Sequence, residues 1–235
     1  MLNNIEIYEF NVMSQNGEDG IIEEIFNRIG TTNKYFVEFG ISDGRECNTG
    51  YLARHKGWSG LMIEGNFFYY RKACRFYKKH PIKIIHSWIT KDNINELFTK
   101  GEVPKELDLL SIDIDGNDYW IWGELINYKP RVVVIEYNAY HVPPKKWVMA
   151  YNEHHKWDGT THFGASLTSY SLLGKKLGYS LIGTDKKGVN AFFIRNDQLE
   201  KSNFIELPPE AAYNNAKYGA INGNHPYRNG EFLEI

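Results

Sequence analysis

Continuously apolar runs that end in an acid are what most restrict how this chain can fold. LLSIDI (109–114) and VVVIEY (132–137) show no alternation of apolar and polar residues before their ends. Strands of that kind are covered on both faces, so helices must pack above and below a largely parallel sheet. Apolar residues at 21, 22, 25, 26 and 29 predict an amphipathic helix over Glu18 to Ile29. Strand 35–39, a helix near 47–56, strand 60–64, helix 67–79 and strand 82–86 are expected next. Helix 91–99, strand 108–113, helix 117–127 and strand 131–136 complete the series. The expected fold class is α/β: a Rossmann-like, doubly wound, mostly parallel sheet in one domain over residues 1–235.

Beyond Asn138 the alternation stops. Residues 139–165 are rich in aromatics and histidines and have little periodicity. A loop that long in a compact domain is usually a lid or a substrate-binding insertion. Regular structure resumes as a helix (Leu167 to Leu177) and two strands (Ser180 to Thr184, Ala191 to Arg195) joined by a hairpin turn at Lys186-Lys187-Gly188. The tail from Leu207 onward, with many Asn, Gly and Pro, reads as irregular surface structure.

The parallel arrangement makes strand ends the place to look for chemistry, because ligands bind at the carboxyl edge of such sheets. In KYFVEFGISDGRECNTGYLARHKGWSGLMIEGN (34–66) a strand opens through Gly40 and Gly44 and the following strand ends in Glu64. Glu64 lies 26 positions after Glu38, near the offset at which an acid holds ribose hydroxyls. The turn is not GxGxxG, and no GxxxxGK[ST] occurs. A nucleoside without pyrophosphate fits better, with S-adenosylmethionine (SAM) the first candidate. Any βα turn also needs some glycine, so the turn alone decides nothing; the acids ending successive strands favour a ligand.

Asp113 and Asp115 end one strand and Glu136 and Asn138 the next, and alternate residues of a strand share a face. Uncompensated carboxylates so close repel, which a hard divalent cation such as Mg²⁺ or Mn²⁺ relieves. A turn capping the next helix accounts for Asn117 and Asp118. His141 is near enough in sequence to be a further ligand or a base. His154, His155 and His162, taken singly, read as solvated or packed, and no HExxH, GxSxG or Cys/His metal spacing is present.

Bulk properties exclude several classes. A net charge of −2 offers no basic excess for nucleic acid. The two cysteines form no metal spacing and argue against a disulfide framework. No signal peptide is recognisable at the N-terminus, and no window reaches 18 apolar residues, so a transmembrane segment is not expected and the cytoplasm is the expected location. A homo-oligomer is compatible with the sequence.

The motifs SQNGEDG (14–20), VEFGISDG (37–44), IEGN (63–66), LDLLSIDIDGND (107–118) and VVVIEYN (132–138) together resemble class I SAM-dependent methyltransferases of the FkbM-like kind, with FGASL (163–167) and GVNAFF (188–193) similar to that family's C-terminal elements. Many members O-methylate sugars in bacterial secondary metabolites and surface polysaccharides, capsule included. The resemblance implies that Glu38, Gly40, Asp43 and Asp113 contact SAM, with Glu64 on the ribose. Ser87 and Trp88 would lie at the adenine, and Gln15 with Asn16 would close over the cofactor. It also implies a metal site of Asp113, Glu136 and Asn138. Asp115 departs from the family, which often has Glu before this Gly.

The resulting expectation is a metal-assisted O-methyltransferase acting on a nucleotide-activated or polysaccharide-bound sugar. Asp113 and His141 would be catalytic, His141 as base, with the acceptor meeting Asp115, Tyr140, His141, Lys145, His162 and Ser166. Lys145, Lys146 and Lys156 could meet a diphosphate. The alternatives are a metal-independent methyltransferase with Asp113 as base, a DxD-type sugar-nucleotide protein using Asp113-Ile114-Asp115, and a non-catalytic adenosine-binding regulator.

Overall fold

A computed structural model describes residues 4–218 and 225–235. A short 3-10 helix, Ile5–Tyr8, precedes α1 (Glu18–Ile29). The alternating series then runs β1 (Tyr35–Phe39), α2 (Gly50–His55), β2 (Ser59–Glu64), α3 (Phe67–Phe76), β3 (Ile82–His86), α4 (Ile94–Lys100), β4 (Glu106–Ile112), α5 (Asp118–Glu124) and β5 (Lys129–Glu136). β6 (Val148–Met149), α6 (Leu167–Leu177), β7 (Tyr179–Thr184), β8 (Asn190–Arg195), α7 (Asn196–Ser202), α8 (Pro209–Ala212) and β9 (Phe232–Leu233) complete the chain.

Seven strands form one sheet in the order β3-β2-β1-β4-β5-β8-β7. The pairs β2–β3, β1–β2, β1–β4 and β4–β5 are parallel, whereas β8 runs antiparallel to both β5 and β7. The order reverses between β1 and β4, the switch point at which a doubly wound sheet opens a crevice. β4 and β5 are buried along almost their whole length, as their apolar runs require. One face packs on Leu97 and Phe98 of α4, Ile121 and Trp122 of α5 and Tyr170 of α6. The other packs on Ile21, Ile25 and Phe26 of α1 and Leu52 and Ala53 of α2.

Two sequence expectations change. The tail is not wholly irregular: α8 packs against β7, and β9 pairs with β6 inside the insertion. Residues 219–224 of that tail lie outside the described residues. The insertion itself is not free of strands, since Val148 also bridges Ala165. A two-residue strand has no periodicity to read, so only its distant partner defines it.

Candidate active site

The crevice forms where β1 and β4 come closest. Gly40, just past β1, has φ +66°, and a Cβ there would lie 1.8 Å from the carbonyl oxygen of Asp113. Only glycine permits both the backbone turn and this approach. On one side of Gly40 a cleft of about 290 Å³ is lined by Ser42, Glu64, Ser87 and Trp88, with His155 and Trp157 arriving from the insertion. Asn66 shapes its floor by capping α3: its side-chain oxygen accepts from the Phe68 and Tyr69 N–H groups. The Glu64 carboxylate accepts from the Asn66 N–H at 2.6 Å, yet burial still holds its pKa above the ordinary value. Trp88 donates its indole N–H to the Glu153 carbonyl and packs against Gly65. An aromatic wall facing a strand-end acid suits a purine and its ribose.

On the other side of Gly40 a second cleft, about 350 Å³, shares Gly40 and Ser42 with the first. Its lining includes Gln15, Glu18, Glu38, Asp43, Asp113 and Asn190. Glu38 is buried, and its oxygens take the Asn48 N–H (2.8 Å), the Thr49 N–H (3.1 Å) and the Thr49 hydroxyl. Burial nevertheless pushes its pKa up to about 7. Glu38 therefore fixes the loop entering α2 as much as it faces a ligand. Gln15 is held at the rim because Asp19 gathers the N–H groups of Val12, Met13 and Ser14 at 2.7–2.9 Å. Five acids, Glu18, Glu38, Asp43, Glu46 and Asp113, face one cation, Arg45, around this space. Such a lining favours a cationic ligand group.

Asp113, Asp115 and Glu136 each bring a carboxylate oxygen within 4.8 Å of the others. The turn that does this puts Asp115 at φ +53° and is held by Asp118, whose two oxygens accept from the Ile114 and Gly116 N–H groups at 2.8 Å. Burial, then Asp115, Asp118 and Glu38, drives the Asp113 carboxyl well above the usual range. Glu136 is raised well above it too, by burial and then by Asp113, and its Oε2 is buried without a hydrogen-bond partner. Asp115, the most open of the three, is pushed up to about 6 by its partial burial and then by Asp118. Three converging oxygens, one of them orphaned, are a donor set that fits Mg²⁺ or Mn²⁺.

Several expected residues sit elsewhere. Asn138 is fully buried with its amide committed: the NH₂ donates to the Thr161 and Phe163 carbonyls and the oxygen accepts from the Tyr140 N–H. It pins the insertion, and Asp115 takes its place beside Asp113 and Glu136. His141 lines neither cleft; it stacks on Trp147 at 4.1 Å between ring centroids, its Nε2 is unpartnered, and burial lowers its pKa to about 4. A neutral imidazole so placed does not serve the crevice as a base. Ser166 is the N-cap of α6, accepting from the Ser169 N–H. Lys145 is exposed and lines neither cleft. Tyr140 accepts from the His225 N–H, and a ring nitrogen of His162 pairs with the Glu231 carbonyl. The structure does bring together Gln15, Glu38, Gly40, Asp43 and Asp113 in one cleft and Gly40, Glu64, Ser87, Trp88 and Asp115 in the other. The sequence reading missed His155 and Trp157, which have no periodicity, and Asn190. Asn190 carried one usable signal, its place at the start of β8 directly opposite Glu136.

A seven-stranded, mostly parallel sheet flanked by helices, with β8 reversed, matches the fold of solved methyltransferase structures. The chain has the class I SAM-dependent methyltransferase fold. An O-methyltransferase from Bacillus cereus bound to SAH is similar over 82% of this chain and 85% of its own, with TM-score 0.51 and 13% identity. The plantazolicin methyltransferase BamL, also bound to SAH, is similar over 76% and 83%, with TM-score 0.50 and 13% identity. The carbon methyltransferase CurJ covers 82% of this chain and 57% of its own, with TM-score 0.50 and 6% identity. No model of a known protein family matches the chain, and no curated protein matches it. At these identities the likeness concerns the fold.

Proposed function

We propose that this methyltransferase-fold chain is a SAM-dependent O-methyltransferase whose acceptor is a sugar hydroxyl. The observation that carries the reading is the pair of clefts meeting at Gly40 and Ser42. One offers an aromatic wall and a ribose-type acid, the other an acid-rich lining for an ammonium and a sulfonium, and Asp113 stands where they join. SAH in the Bacillus cereus and BamL structures is in keeping with this ligand.

Methyl transfer is an in-line displacement: the acceptor oxygen bonds to the methyl carbon, the carbon–sulfur bond breaks, and sulfur keeps the electron pair. The chain must orient the hydroxyl and accept its proton. Where no cation is bound, Asp115, open to solvent with its carboxyl near 6, would take that proton and pass it to water. Asp113, Asp115 and Glu136 would hold a divalent cation, which when bound lowers the pKa of a coordinated hydroxyl. The rings of Tyr140, Tyr218 and His225 lie 5.6–6.0 Å apart, with Trp157 4.8 Å from His225, and burial followed by the Glu136 charge raises the Tyr218 pKa. Rings gathered beside the acidic group give a sugar face a stacking surface. The raised Asp113 carboxyl also fits a metal-independent variant in which Asp113 itself is the base.

Calorimetric titration of EDTA-treated protein with SAH, then with Mg²⁺ or Mn²⁺ added, tests the reading. Micromolar binding is expected, with Glu64→Ala and Trp88→Ala each weakening it about tenfold or more. Absence of binding under both conditions refutes it. With an acceptor in hand, turnover that survives EDTA selects the metal-independent variant.

A further inference from the structure

α3 differs from the other helices of the sheet layers in what it hides. Within Phe67–Phe76 only Ala73 is buried, whereas α1 buries seven residues. Its first turn instead presents Phe67, Phe68 and Tyr69 to solvent at 50%, 74% and 43% exposure. Scattered single exposed hydrophobics are ordinary, but three successive large aromatics on one helical turn form a patch. The same segment, FFYYRKACRFYKKH (67–80), holds Arg71, Lys72, Arg75, Lys78 and Lys79 and no acid, in a chain whose net charge is −2. All five cations are exposed. Among the described residues none of them is paired with a carboxylate. Arg45, which packs on the Phe76 ring beside this patch, is ion-paired with Asp43 and adds no free charge to it.

We infer that α3 docks this protein onto an anionic lipid surface, with Phe67 and Phe68 entering the interface and the lysines and arginines over the headgroups. Charge complementarity selects the occupant. A basic helix carrying exposed aromatics binds at the headgroup–acyl boundary, through apolar area and attraction to anionic lipid together. A protein partner's interface core would be depleted of charge, not crowded with like-charged residues. The position is also productive. Asn66 and Tyr69, at the start of this helix, line the nucleoside-type cleft, so docking turns the mouth of the crevice toward the membrane. The inference stands apart from the identity of the acceptor.

Co-sedimentation of the full chain with vesicles tests it, using phosphatidylcholine alone and phosphatidylcholine mixed with phosphatidylglycerol. Binding is expected only to the anionic vesicles and weakens as salt is raised. Phe68→Ser is expected to lower the partition coefficient about tenfold. Arg71→Glu with Lys72→Glu lowers it by a similar or larger factor, roughly tenfold or more. SAH affinity, read in parallel, stays unchanged in both variants and so certifies that they fold. Failure of the wild type to bind anionic vesicles overturns the inference. So does Phe68→Ser binding as well as wild type, which would reduce the effect to bulk charge. Retention on a soluble sulfated polysaccharide but not on vesicles reassigns the face to a polysaccharide and likewise overturns it.

Discussion

Gly40 and Glu38, two positions apart, do different work, and each yields a test. At Gly40 an added Cβ would strike the Asp113 carbonyl oxygen at 1.8 Å, and φ +66° is costly for any L side chain. Gly40→Ala is expected to lose about 3 kcal/mol of stability and measurable SAH affinity, read by thermal melting and calorimetry. Glu38 is a buried acid whose folded pKa, about 7, lies above its ordinary 4.5. The folded state therefore binds more protons than the unfolded one between those values, and stability falls as pH rises through that window. The total is roughly 3 kcal/mol at 1.36 kcal/mol per pH unit. His141 acts oppositely: its pKa is held down to about 4 against 6.5, so it adds stability as pH rises across that range. The difference between wild type and Glu38→Gln cancels the histidine. That difference, followed by melting temperature against pH, is expected to move against the wild type by about this amount as pH rises from 4.5 to about 7.

At the scale of the element, the strongest correspondences with sequence are α1, β1, β3 and α6, whose observed bounds are the expected ones. Each has a periodic apolar pattern and a clear stop, such as Gly30 after α1 or Gly178 after α6. α5 ends at Glu124, short of the expected 127, because Leu125 closes the helix with its N–H on the Trp122 carbonyl. α7 has few apolar residues and is fixed by packing on α1, which no local pattern announces. Ser166 is a matter of the element too. As the N-cap of α6 it stabilises a helix and not a substrate, so Ser166→Ala should cost about 1 kcal/mol in chemical denaturation. It should leave SAH affinity as it was. A large loss of affinity at unchanged stability would return Ser166 to the site.

Across the whole molecule, the insertion and the C-terminal tail hold each other in place. β9 pairs with β6, the Ala150 N–H donates to the Glu231 carbonyl, and the Ser169 hydroxyl donates to the Ile235 carbonyl at 2.5 Å. Deleting Phe232 to Ile235 is expected to speed amide exchange over residues 147–150 while the exchange of β4 and β5 stays slow, because exchange follows local opening. Equal protection with and without the tail would show that the insertion is ordered without it.

The candidate site divides along the same line. Asp113, Glu64 and Glu136 were legible because each follows an apolar strand directly, and a parallel sheet sends all such ends to one edge. Gly40 was legible only in company, because a glycine turn means little until the strands around it end in acids. The fates of Asn138, His141 and Ser166 were not. Which way each side chain turns depends on the partner it finds in the fold: the Thr161 and Phe163 carbonyls for the Asn138 amide, the Trp147 ring for His141 and the Ser169 N–H for Ser166. His155 and Trp157 came to the nucleoside-type cleft by the same route, through a loop without periodicity. Patterning along the chain thus determined the sheet, its helices and the edge where chemistry sits, because burial of apolar runs leaves little choice. The tertiary structure decided which polar groups of the insertion face the crevice and which hold the fold, because a buried amide goes where its hydrogen bonds are and a buried ring where it can stack.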